Sequence, residues 1–335
     1  MSHTIIDIAL LAGVSKSTVS RVISGKGYTS EEARKKVLNA IEELQYKPNG
    51  VARAMVSQRT NNIGVIIYRQ HHPIASHPFY GKILDAILIK SESLGYSVFV
   101  TTDKEMSMKS ADFMLEKRVD GLILISRLSQ QVIGHIDTFN VPYLSVNGTT
   151  EKNDVIQIIN NDRQGGRLVA DHLYQLGHRV INVIAGPQNH RSHKLRFTGF
   201  CERLTELGGQ IQKSDIYYSP TSTFEDGYQI IKNNWNQFSS RKPTAIFATN
   251  DMLAIGAMQL LLEKGLIIPN DLAIAGFDNI DYSKMSFPPL TTVHVEKERM
   301  GEDAVVLLDK LIKKEKVQKN FAEYEPKLVI RKSTV

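Results

Sequence analysis

The chain has 335 residues, of which 42% are hydrophobic and 23% charged, with 41 Lys and Arg against 35 Asp and Glu and a single cysteine. That composition suits a soluble protein of two or three domains and excludes an internal disulfide, a cysteine zinc site and, with no apolar run of about 18 residues, a membrane span. The first residues lack the basic start and apolar stretch of a secretion signal, so a cytoplasmic protein is expected.

The charge is unevenly placed. Up to residue 60 there are nine basic residues (Lys16, Arg21, Lys26, Arg34, Lys35, Lys36, Lys47, Arg53, Arg59) and five acidic ones (Asp7, Glu31, Glu32, Glu42, Glu43), a local excess of four. A basic excess concentrated in one segment suits a polyanion.

The same segment reads as a helix-turn-helix. Thr4 and Asp7 have capping-box spacing, and Ile5, Ile8, Ala9 and Ala12 follow with helical periodicity. Gly13 permits the positive φ of a tight turn, Ser15 can cap a second helix, and Val19, Val22 and Ile23 face inward from it. A third helix is expected from a Thr29–Glu32 capping box, with Val37, Leu38, Ile41 and Leu44 as its apolar face and Pro48 ending it. Lys16, Ser17 and Arg21 point away from this core. Arg21 and Lys16 have the chemistry to read guanine, while Thr4, Ser15, Thr18, Ser20, Tyr28 and Ser30 suit phosphate. The segment Pro48–Met55, PNGVARAM, reads as a short hinge.

From residue 61 apolar runs alternate with amphipathic stretches. The runs are IGVIIY, SVFVT, GLILIS, INVIA, TAIFAT and LAIAGF, and a helix is expected over Phe79–Leu94. Runs apolar on both faces predict a parallel sheet covered on both sides. No dinucleotide fingerprint, phosphate loop, nucleophile elbow or zinc-protease motif is present, so neither a catalytic residue nor a cofactor is assigned. His71, His72 and His77 have no acid or cysteine beside them to complete a metal site. In open α/β sheets ligands lie beyond the carboxyl ends of the strands. There the chain places Asn147, Arg196, Asn250, Asp251 and Asp278, donors and acceptors suited to a hydroxyl-rich small molecule, with Asp251 also a candidate cap for the helix after it.

The segments IIDIALLAGVSKSTVSRVISG and EEARKKVLNAIEELQYKPNGVARAM, and the pattern behind them, resemble the lactose/galactose-repressor family of bacterial transcription regulators over nearly the whole chain. The resemblance implies an α/β protein with a three-helix headpiece (1–46), a hinge (47–59) and a two-lobed, doubly wound domain like periplasmic sugar-binding proteins (60–335). Lobe one would take about 60–159 and 293–322, and lobe two about 160–292 and 323–335, with the strand PKLVI in the second. It implies a homodimer on double-stranded operator DNA, with hinge helices that form only there and enter the minor groove, Ala52 letting the two helices touch and Asn49 and Arg53 reaching backbone or groove. Met55 stands where the family carries a wedging leucine. No leucine heptad follows RKSTV, so a dimer and no tail-built tetramer is expected.

The resemblance also marks Asn147, Arg196, Asn250 and Asp278 as sugar-contacting positions, whereas Val295 replaces a polar residue of the lactose-responsive member. The long loop YRQHHPIASHPFYG is similar to that of the maltose-regulator branch, which makes Phe79 and Tyr80 candidates for stacking on a glucose face, leaves Trp235 as either another such ring or part of the core, and makes maltose or another α-glucoside the expected effector. Effector binding would shift operator affinity through a coupling of about 1–3 kcal/mol. Two other classes make different demands on the sequence. A sugar carrier of a transport system requires a signal peptide and no headpiece. A purine-responsive repressor requires a flat aromatic sandwich in place of an Arg/Asp clamp.

Overall fold

The computed structural model describes residues 3–24, 27–46, 59–68, 76–103, 107–116, 119–126, 129–148, 150, 152, 155–317 and 321–335. The expected hinge contacts Asn49, Ala52, Arg53 and Met55, and the histidines His71 and His72, lie outside these residues. The chain forms two compact units, Met1–Asn61 and Asn62–Val335.

The first unit has three helices, α1 (Ile5–Ala12), α2 (Lys16–Ser24) and α3 (Glu31–Glu43). Thr4 caps α1 through the Asp7 N–H, while Asp7 accepts the Thr4 N–H at 2.7 Å, which closes the capping box. Gly13 ends α1 at φ 63°, and Ser15 accepts the Thr18 N–H at 3.1 Å to start α2. Ile8, Val19 and Val37, one from each helix, are wholly buried, with Ala9, Ala12 and Ala40 between them. Two expectations for α3 need correction. Its cap is Ser30, which accepts the Ala33 N–H at 3.2 Å, and Thr29 lies outside the helix while Glu32 pairs with Lys36. Leu38 is 50% exposed, because one residue after the buried Val37 it is turned about 100° around the axis.

The second unit contains two parallel sheets. In the first, β1 (Asn62–Tyr68) lies between β2 (Ser97–Asp103) and β3 (Gly121–Ser126), and β4 (Tyr143–Val146), β5 (Ile156–Asn160) and β11 (Phe321–Tyr324) continue outward in the order β11-β5-β4-β3-β1-β2. In the second, β7 (Ile216–Tyr218), β6 (Ile181–Ala185), β8 (Ala245–Ala248) and β9 (Ala273–Ala275) are adjacent in that order. β1, β3, β6, β8 and β9 are buried on both faces, apart from the half-buried Asn62. β2 departs from that expectation. As the edge strand it leaves Val100 40% exposed. The segment PKLVI contributes β12 (Lys327–Val329), which pairs antiparallel with β10 (Thr292–His294) outside both parallel sheets.

Helices flank the first sheet as α4 (Tyr80–Ser93), α5 (Lys109–Glu116) and α6 (Gln130–Asp137), joined by the later α13 (Lys297–Ile312). Around the second sheet lie α7 (Asp162–Gln175), α8 (Arg191–Glu206), α9 (Phe224–Asn233), α10 (Trp235–Arg241), α11 (Asp251–Glu263) and α12 (Asp281–Met285). Two helix pairs meet backbone to backbone through glycine. A Cβ on Gly166 of α7 would lie 2.1 Å from the Arg196 carbonyl oxygen, and one on Gly199 of α8 would lie 2.0 Å from that of Arg163. Gly227 of α9 and Gly256 of α11 repeat the arrangement, at 2.2 Å from the Leu253 and 1.9 Å from the Phe224 carbonyl oxygen. No real Cβ tolerates such distances, so each pair is locked in one register.

Candidate functional site

Each of the two units carries one candidate site.

In the headpiece the inward faces of α1 and α2 are taken up by the core, which leaves a polar surface at the start of α2. Ser15, Lys16, Ser17 and Arg21 are exposed, Thr18 and Ser20 half-buried. Tyr28 is 89% exposed, and Thr4 and Ser30 are exposed at the starts of α1 and α3. Thr4, Ser15 and Ser30 all serve as helix caps. The hydroxyls of Ser15 and Ser30 accept an N–H and keep a proton to donate, so each of these helix starts can present both a hydroxyl and backbone N–H groups to a phosphate. The guanidinium of Arg21 and the ammonium of Lys16 stand on the same helix as the exposed hydroxyls, as base-edge reading requires.

The second site is a cavity of about 80 Å³ at the carboxyl ends of the strands of both sheets. Tyr68 and Ser126 end β1 and β3, Asn147 follows β4, and Asn250 and Asp278 follow β8 and β9. Arg196 projects from the second turn of α8. Five expected residues, Phe79, Asn147, Arg196, Asn250 and Asp278, line this one cavity.

Arg196 is 3% exposed and organises the site. Its Nε donates to Asp162 Oδ1 at 2.9 Å, its Nη1 donates to the Thr249 carbonyl at 2.9 Å and pairs with Asp278 Oδ1 at 2.8 Å, and the guanidinium stacks 3.9 Å above the Phe277 ring. Burial disfavours its charge, but Asp278 and Asp162 more than restore it, so its pKa is raised. Burial raises Asp278 to about 6, against the pull of Arg196 and Lys297. Behind it Asp251, wholly buried, is pushed up to about 8 by burial and by the Asp278 charge. Asp251 accepts the Ile280 N–H at 2.9 Å and the Thr292 hydroxyl. The cap of α11 is therefore Asn250, whose Oδ1 accepts the Leu253 N–H at 2.9 Å, and not Asp251. Lys297, 3% exposed, donates to the carbonyls of Asp278 at 2.6 Å and Val295 at 3.1 Å, with Asn279 at 3.4 Å. Val295 itself is buried in the core.

The opposite wall comes from α4 and the turn before it. His77 Nδ1 accepts the N–H groups of Phe79 and Tyr80, at 3.1 and 3.2 Å, and so caps α4. Tyr80 Oη donates to Ser126 Oγ at 3.2 Å and accepts Asn147 Nδ2 at 3.2 Å, and Ser192 Oγ reaches Asn147 Oδ1 at 3.4 Å. This chain of bonds crosses from α4 to the start of α8. Asn147 holds φ 53°, the left-handed region that asparagine tolerates better than most residues.

Trp235 is not part of this cavity. It stacks on Phe238 at 6.0 Å between ring centres, under Lys264, against the core beneath α11. Sequence reasoning did not single out Tyr68, Ser126, Pro187, His190, Ser192, His193, Pro220, Thr221 or Ser222 as part of the lining, it considered His77 only as a metal ligand, and it did pair Tyr80 with Phe79 as a ring for stacking on a sugar. Asp162, two residues past the strand IQIIN and first in α7, was also not singled out, and it holds Arg196 through Nε.

Among the described residues no group of His, Cys, Asp and Glu could hold a metal ion, and no helix is long and apolar enough to cross a membrane. Residues 170–334 match the periplasmic binding protein-like domain, and residues 4–49 match the lacI family of bacterial regulatory proteins. The chain is 34% identical to the HTH-type transcriptional repressor PurR of Actinobacillus pleuropneumoniae serotype 3 (strain JL03), across 98% of both chains. It is 35% identical to the PurR of Pasteurella multocida (strain Pm70), again over 98% of each. Among solved structures, the lac repressor dimer bound to operator and the anti-inducer ONPF superposes with a TM-score of 0.87 at 30% identity, covering 100% of both chains. The complex of the transcriptional regulator CelR with cellobiose gives 0.74 at 26% identity, covering 99% of both. Helix-turn-helix headpiece, twin parallel sheets and full-length similarity converge: the chain belongs to the lacI family of bacterial regulatory proteins, as a DNA-binding transcriptional repressor and not an enzyme.

Proposed function

We propose that this repressor binds an operator as a homodimer and that a small neutral molecule in the cavity switches its affinity. Lys16, Ser17 and Arg21 read base edges, and Thr4, Ser15, Thr18, Ser20, Tyr28 and Ser30 hold phosphates. The hinge at 47–59 adds minor-groove contacts through Asn49 and Arg53, with Ala52 where the two hinge helices touch and Met55 as the wedge. The operator-bound dimer of the lac repressor, similar over the full chain, supports this arrangement.

For the effector, a sugar is the reading we favour, with maltose or another α-glucoside as the first compound to test. The observation that carries it is the Arg196–Asp162–Asp278 clamp, surrounded by the amides of Asn147 and Asn250 and the hydroxyls of Ser192, Thr221 and Ser222. Such groups match alternating hydroxyl donors and acceptors. Phe79 and Tyr80 supply aromatic surface on one wall. A nucleobase is the second reading, favoured by the PurR name of the relatives.

Thermal-shift titration with maltose and with hypoxanthine, followed by operator binding with and without each, tests the choice. Maltose is expected to raise the melting temperature and change operator affinity. A response to hypoxanthine alone overturns the sugar reading.

A further inference from the structure

His193 stands one turn before Arg196 on α8 and lines the cavity, yet no step above uses it. Its Nδ1 lies 2.8 Å from Thr249 Oγ1, and that oxygen also accepts the Gly186 N–H at 2.8 Å. Thr249 is wholly buried. A backbone N–H can only donate, so the hydroxyl still has its own proton to place, and a buried hydroxyl proton needs an acceptor. His193 Nδ1 is the acceptor within reach, which leaves that nitrogen unprotonated and puts the ring proton on Nε2. Burial, reinforced by His190 and Arg196, holds the imidazole well below its ordinary pKa, so the ring is neutral. Packing fixes the ring as well, since a Cβ on Gly186 would come within 2.3 Å of it. With the Nδ1 edge turned to Thr249, the Nε2 edge borders the cavity.

The surrounding charges are already matched. Arg196 serves two carboxylates, and the Lys297 ammonium is spent on carbonyl oxygens. Among the described lining residues no other Lys or Arg is present. A phosphate or carboxylate entering here would meet Asp278 without a spare cation to hold it.

We propose that His193 is an effector-binding residue, that it holds an Nε2–H donor fixed on the cavity wall, and that the molecule it meets is uncharged and offers an oxygen or nitrogen acceptor at that point. The proposal rests on the cavity being the effector site, but holds for a sugar or a nucleobase alike.

The test uses the full-length protein. Two-bond ¹⁵N spectra of the wild type at pH 7 should show His193 protonated at Nε2 alone, and Thr249→Val should abolish that preference. A proton on Nδ1, or on both nitrogens, overturns the fixed donor. A thermal-shift panel of maltose, glucose, hypoxanthine, guanine and glucose 6-phosphate is then run on wild type, His193→Ala and His193→Gln. Neutral compounds should shift the wild type, lose about 3- to 10-fold in affinity in His193→Ala and recover most of it in His193→Gln, whose amide retains a donor. A nucleobase hit with the same dependence on His193 removes the sugar reading and leaves this proposal standing. A hit whose affinity is equal in wild type and His193→Ala overturns it, as does binding of glucose 6-phosphate alone or no shift from any neutral compound.

Discussion

In the headpiece, Lys16, Arg21 and Tyr28 stand in water, and the core beneath them is a handful of aliphatic side chains. At the cavity and behind it the cations are only 3% exposed, Arg196 of the lining held between two carboxylates and Lys297 behind Asp278 among carbonyls. The difference separates two ways of using charge. Exposed cations attract a polyanion from a distance, and added salt weakens them. Buried ones gain strength from low dielectric but are already engaged by carboxylates and carbonyls, so the site recognises shape and hydrogen-bond pattern more than net charge.

The comparison can be broken most sharply at Arg196. Arg196→Ala would strand Asp162 and Asp278, and a cost of about 3–5 kcal/mol is expected in urea unfolding. A cost near that of an exposed arginine would mean the network is solvated and the contrast is false.

The pH response comes next. Asp251 titrates at about 8 in the folded chain but near 3.8 when unfolded, so between those values the folded chain binds the extra proton. Its contribution is therefore favourable at low pH and declines as pH rises toward about 8, and Asp278, at about 6, adds to the decline over the lower part of that range. The headpiece has the opposite sign. Asp7, bonded to the Thr4 N–H, is held below its ordinary value, so its contribution is present above 3.8 and disappears on acidification through its lowered pKa. Unfolding free energies of wild type and Asp251→Asn from pH 5 to 8 should diverge, with the variant flatter. Parallel curves would show that Asp251 is not the titrating group.

On the headpiece side, Arg21→Ala should cost about 1–3 kcal/mol at one operator position and relax preference there, as read by binding to single-base operator variants. An equal loss on every sequence would make Arg21 a phosphate contact. Lys16→Ala should likewise lower affinity and relax preference at a second operator position, read on the same single-base variants. The smallest effect expected is that of Thr4→Ala, about 1 kcal/mol of headpiece stability by hydrogen exchange, since it removes one cap.

What could be read from the sequence follows the range of the interactions involved. The caps at Thr4 and Ser15 and the turn at Gly13 were legible because each is settled within a few residues. Even there, Thr29 and Ser30 are adjacent hydroxyls, and the capping-box pattern pointed to the wrong one. In the cavity, Asn147, Arg196, Asn250 and Asp278 were legible because polar residues after buried strands have few other reasons to be there. Their partners were not, because Asp162 lies 34 residues from Arg196 and Tyr80 lies 67 from Asn147, and no local pattern announces such a meeting. Trp235 could be read from the sequence as a stacking ring or as core, and its surroundings assign it to the core. The strands β7 and β11 were missed because three or four residues do not establish a period, and β5 because IQIIN carries a glutamine within its apolar run.

The glycine contact between α7 and α8 has a consequence for how such a protein changes over generations. With no side chain between the two backbones, the helix that carries Ser192, His193 and Arg196 has its position set by Gly166 and Gly199, whatever those three residues are. Residues facing the cavity can then be exchanged one at a time without shifting the platform that displays them. A new chemical preference is thus open to single substitutions, while a change at either glycine closes that route at once.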